Sequence, residues 1–78
     1  MNAEIRRFHA ARCYAEAHRC IKTARDVYAV QKGATHLGGP FDVWCNSVVA
    51  GYLASALWYR DTAREWRRSA RTSREVAS

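Results

Sequence analysis

An all-α antiparallel two-helix hairpin, self-associating into a helical bundle, is the fold class that this 78-residue sequence predicts. Three observations carry that expectation. Residues 3–32 contain neither Gly nor Pro and repeat small and apolar side chains at alternating spacings of three and four, the period of an amphipathic helix. A turn-forming stretch follows over residues 33–40, and a second periodic segment runs over 41–74. At this length the chain holds a single domain, residues 1–78, and two helices bury too little surface to be robust alone, which is why association belongs to the expectation.

The first helix is expected from about Ala3 to Lys32. Its stripe comprises Ala10, Cys13, Tyr14, Ala17, Cys20, Ile21, Ala24, Val27 and Tyr28, and Ala10, Ala17 and Ala24 recur every seven residues along its centre. Side chains that small let a partner helix come close. Gly33 is expected to stop the helix, and Thr35, His36, Gly38 and Gly39 to make the connection. Pro40 suits a first helical turn, and Asp42 places an anion where the helix dipole favours one.

The second helix carries a seam of Phe41, Cys45, Val48, Tyr52, Ala56, Tyr59, Ala63, Trp66 and Ala70. A short connection forces antiparallel pairing, with facing residue numbers summing to about 72, so Cys20 is expected near Tyr52 and Cys13 near Tyr59. Between Val43 and Tyr59 the apolar surface extends beyond that seam, to Val49, Leu53 and Leu57 on one side and to Trp44, Gly51 and Trp58 on another. One partner helix cannot cover three sides. Val49, Leu53, Leu57, Trp44 and Trp58 are therefore the expected interface with further copies of the chain. The same run resembles an aromatic-flanked membrane span, but its length is marginal, it contains Asn46, Ser47 and Ser55, and both flanks are charged, so a membrane partner is disfavoured.

Charge is distributed unevenly. Thirteen Lys and Arg against seven acids leave +6, of which residues 1–32 hold +4, residues 33–59 hold −1 and residues 60–78 hold +3. Arg60, Arg64, Arg67, Arg68, Arg71 and Arg74 fall within an arc of about 120° if their segment is helical. Helical spacing also offers Arg64 to Asp61, Arg68 to Glu65 and Arg71 to Glu75, but exposed pairs of this kind contribute only about 0.3 to 0.5 kcal/mol each. They do not account for the shared face. An ordered cationic stripe engages an anionic surface as a unit.

Chemistry beyond binding finds little in the chain. His9, Cys13, Glu16 and Cys20 share one side of the first helix, yet Cys20 lies too far along the axis to join His9 and Cys13 on one ion, so no metal site is expected. The three cysteines are an odd, sparse set placed in apolar seams, which argues against a disulfide framework and against a reactive thiol. No serine sits in a nucleophile-elbow pattern and no carboxylate pair occupies a cleft, so neither an enzyme nor a cofactor is expected. The N-terminal residues lack the apolar core of a signal peptide, and the expected location is cytoplasmic.

Taken together, these features predict a small non-enzymatic helical binding protein. It docks on an anionic protein or ribonucleoprotein surface through the six arginines and Trp66, as accessory or inhibitory proteins of phage and mobile elements do, for example against a host defence complex. The alternative is a sequence-non-specific DNA- or RNA-binding protein whose arginines contact phosphates, since no recognised base-reading motif is present.

Overall fold

The structure, a computed structural model, describes residues 2–77, and side chains are described for residues 2–72. Helix α1 spans Ala3–Gly33, a 3-10 turn spans Thr35–Leu37, and helix α2 spans Gly39–Ala77. The two long helices pack antiparallel as a hairpin, and no strand occurs among the described residues. At 62 × 14 × 13 Å the hairpin is a rod, close to the roughly 58 Å expected of a 39-residue helix.

Asn2 starts α1 by accepting the Ile5 backbone N–H on its side-chain oxygen at 2.9 Å, and Glu4 stands in the first turn, where the helix dipole favours a carboxylate. The helix ends at Gly33, the expected stop, but without a positive φ there: the Ala34 N–H returns to the Gln31 carbonyl, and the positive φ, 84°, belongs to Gly38. The chain keeps going through the 3-10 turn and reverses at Gly38, whose carbonyl accepts the Asp42 N–H at 3.2 Å. Pro40 lies in the first turn of α2, where a missing N–H costs the helix nothing.

The late reversal moves the register. Arg6 lies opposite Ser69, donating to both its carbonyl (3.1 Å) and its hydroxyl (2.6 Å), and the His9 ring stacks on Trp66 with centroids 4.8 Å apart. Both pairs sum to 75 rather than the expected 72, which centres the hairpin next to Gly38 instead of at His36. At the closed end Gln31 bridges Asp42 (3.4 Å) and Asn46 (3.1 Å). Polar clamps thus fix both ends of the rod.

Between the clamps the core is almost wholly alanine. The buried side chains are Ala10, Ala17 and Ala24 from α1, and Cys45, Ala56, Ala63 and Ala70 from α2. Two heptad ladders of methyl groups face each other, so the helices meet along a narrow line in which a longer side chain has no room. Larger members of the predicted stripes, such as Cys13, Tyr14, Ile21, Phe41, Val48, Tyr59 and Trp66, flank that line half-buried. Two members leave it: Tyr28 and Tyr52 are exposed. Among the described residues, no helix is long and apolar enough to cross a membrane.

Ala63, which has no exposed surface, sits on this line. Ala63→Leu is expected to lower stability by about 1 to 3 kcal/mol through overpacking, read as a fall in the urea midpoint. An unchanged midpoint would mean that the helices stand further apart than the alanine ladders imply.

Candidate functional site

The arginine stripe does not stand on a bare helix; it forms one wall of a groove whose other wall is α1. The upper part of the groove, about 470 Å³, is lined by Tyr14, Ala17, His18 and Ile21 from α1 and by Leu53, Ala56, Leu57 and Arg60 from α2. Leu53 and Leu57 are 45% and 51% exposed, so this stretch offers apolar surface to a ligand. Further along, Tyr14 borders a second depression with Arg64, Arg67, Arg68 and Arg71, and a third is formed by Arg7, Arg67, Ala70 and Arg71. Tyr14 belongs to both the apolar and the cationic part, so the two are continuous.

Tyr14 also organises the charge. The Arg67 guanidinium lies over its ring, 5.9 Å from the centroid, a contact that at an exposed site contributes about 0.5 to 1 kcal/mol toward keeping the cation beside the groove. Asp61 lies 3.3 Å from Arg60 and 4.0 Å from Arg64, and Glu65 lies 2.9 Å from Arg68. These carboxylates sit at the outer edge of the stripe and are exposed, so their pairing is weak and exchangeable. Among the described residues no carboxylate lies within ion-pair distance of Arg67. Arg74 lies outside the described side chains, as does Glu75, its neighbour and the expected mate of Arg71.

Not every expected site residue joins the groove. Trp66 is half-buried against His9 on the far side of the interhelical contact, so it serves the packing of the hairpin and not the stripe. The five expected association residues divide. Leu53 and Leu57 line the groove, and half-buried Val49 continues their row, whereas Trp44 and Trp58 point to the opposite side of α2 with 58% and 62% of their surface exposed. At about 100° per residue the mean directions of the two groups point to nearly opposite sides of α2, and opposite sides of one helix cannot share a single flat interface. The groove residues that sequence reasoning did not single out are Arg7 and His18. Their signal was available: both follow Tyr14 around α1 at spacings of seven and four, but only the register shows which residues of α2 they meet.

The thiols and the histidine take structural positions. Cys13 and Tyr59 line one crevice with His9, Arg12 and Glu16, in keeping with the expected proximity of Cys13 to Tyr59, while a pairing sum of 75 sets Cys20 at the level of Ser55 along the rod rather than at that of Tyr52. Among the described residues no three metal-ligating side chains gather. Cys45 is wholly buried, and burial, with Asp42 one turn away adding repulsion, pushes its thiol above the ordinary range. The folded state therefore prefers the neutral thiol, so this group's contribution to stability is intact below the ordinary thiol range and is lost as pH rises toward the raised folded value.

Compared with protein-family models, with curated proteins and with solved structures, the chain matches none.

Thiol chemistry separates these positions. At mildly alkaline pH in native buffer, a chromogenic disulfide reagent is expected to label Cys13 and Cys20, which are partly exposed, well before Cys45. Cys45 should react only with added denaturant; labelling at the rate of the other two would contradict its burial.

Proposed function

We propose that the chain is a non-enzymatic binding protein that docks through this groove on an anionic protein surface. The observation that supports the reading is the continuity of apolar and cationic lining across Tyr14. A ligand that fills the groove must bring apolar side chains to Ile21, Leu53 and Leu57 and negative charge to Arg64, Arg67 and Arg71. A protein surface presents both together. Removing exposed Leu surface from water stabilises such a complex by about 25 cal/mol per Å², and partly desolvated arginines are frequent energetic centres of interfaces. The charges then steer and orient the encounter.

The alternative reading, sequence-non-specific binding of DNA or RNA, draws on the five guanidiniums gathered from both helices: Arg7, Arg64, Arg67, Arg68 and Arg71. A phosphate backbone would satisfy them and leave the apolar part of the groove unused, which is why the protein partner is preferred. Small size and a +6 charge favour an accessory or inhibitory role of the phage or mobile-element kind, such as blocking a host defence complex, as the biological form of this binding.

Affinity purification from the native host, with Arg64→Glu combined with Arg71→Glu as the comparison, tests the proposal. The wild-type chain is expected to retain a protein that the double variant loses, with identical helicity by circular dichroism. Retention by both rules the stripe out. Fluorescence anisotropy with DNA and RNA at about 50 and 200 mM salt tests the alternative, for which binding would be tight and steeply salt-dependent.

A further inference from the structure

The side of α2 turned away from the groove carries a second pattern. Trp44, Gly51 and Trp58 stand at intervals of seven, with Ser47 and Ser55 four residues to either side of the glycine. All five are exposed. Each indole is braced by a neighbour on its own helix, Trp44 by Phe41 at 6.1 Å and Trp58 by Tyr59 at 5.1 Å, so both present fixed apolar faces outward. Apart from Asp42 no charged residue occurs between Gly33 and Tyr59.

Gly51 has no use within its own chain. Its φ is not positive, and a Cβ built on it meets nothing within 4 Å. Glycine in mid-helix costs about 1 kcal/mol relative to alanine. With Val48, Tyr52 and Ser55 it lines a shallow depression on the helix surface. Conformation and internal crowding do not call for glycine here.

We propose that this face is a two-fold interface at which α2 crosses α2 of a second copy, antiparallel and centred on Gly51. Two helices that cross are closest at the crossing and diverge on either side, so the contact calls for the smallest residue at its centre and large ones about 10.5 Å away, seven residues along. That is the order Trp, Ser, Gly, Ser, Trp, and it reads the same in both directions. A two-fold axis at Gly51 sets Trp44 against Trp58 of the second copy and Ser47 against Ser55. Such a pattern is self-complementary, as an isologous contact requires.

Charge selects the antiparallel orientation. A parallel pair would set the two arginine segments side by side. The antiparallel crossing places Arg64 of one copy about 39 Å along the axis from Arg64 of the other, several Debye lengths at physiological salt. Four aromatic side chains of roughly 150–250 Å² each, more than half exposed in the single chain, supply about 400 Å², a third of the roughly 1,200 Å² that a stable interface buries. Val48, Tyr52 and the two serines extend it. The result is a pair of hairpins joined through their second helices, with the two arginine grooves toward opposite ends, and it does not rest on the docking role of either groove.

Sedimentation velocity on the full chain and on Gly51→Leu tests the proposal. The wild type is expected to be a dimer at micromolar concentration, and Gly51→Leu to weaken association at least tenfold while raising helicity, since leucine suits a helix better than glycine. In a Cys13→Ser, Cys20→Ser background, Gly51→Cys is expected to form an intermolecular disulfide on mild oxidation, and Leu57→Cys, on the groove side, is not. A wild-type chain that stays monomeric at high micromolar concentration overturns the proposal. So does a dimer that Gly51→Leu leaves intact, or one that Leu57→Cys links and Gly51→Cys does not.

Discussion

The close approach of two alanine ladders is the constraint on which the rest of this protein depends. Ala10, Ala17 and Ala24 of α1 and Ala56, Ala63 and Ala70 of α2 are the buried residues along the line of contact, which side chains this small keep too narrow to admit a leucine or an aromatic ring. Each such methyl contributes only about 0.8 kcal/mol when buried, so the ladder aligns the helices more than it stabilises them. Its larger effect is on everything else. Leu53, Leu57, Trp44 and Trp58 are excluded from the core and left on the surface at about half exposure or more. The hairpin's apolar capacity is thereby directed outward, to two faces on opposite sides of α2.

That division explains why the periodic pattern was legible and its meaning only partly so. Both helices, their antiparallel pairing and most of the seam follow from spacing alone, because a heptad of small residues has few other readings. Register does not follow from spacing. It was set by the turn, where Gly38 and not Gly33 takes a positive φ with an extended ψ, and where three residues continue outward as a 3-10 turn before the chain reverses. Glycine at several successive turn positions leaves the reversal point open in sequence. A shift of three in the pairing sum then decides that Trp66 stacks on His9.

The arginine stripe was visible as one face of a helix, but its role as a wall was not. Tyr14 and Ile21 read as ordinary seam residues and Arg7 and His18 as ordinary surface, since nothing in α1 alone reveals which residues of α2 lie across from them. In the folded hairpin they complete a groove that passes from leucine to guanidinium over a single tyrosine ring. The local ion pairs to Asp61 and Glu65 are exposed and exchangeable, so they compete only weakly with a partner's carboxylates.

The account stands on which side of α2 faces α1, and a NOESY spectrum of the free chain with labelled alanine methyls tests this most directly. It predicts cross-helix contacts between the Ala10 and Ala63 methyls and between the His9 and Trp66 rings, with Trp44 and Trp58 showing none to α1 of their own chain. Loss of the alanine contacts, with Trp44 or Trp58 in contact with α1 of the same chain, would contradict it. The helix would then be rotated and neither outward face would exist as described.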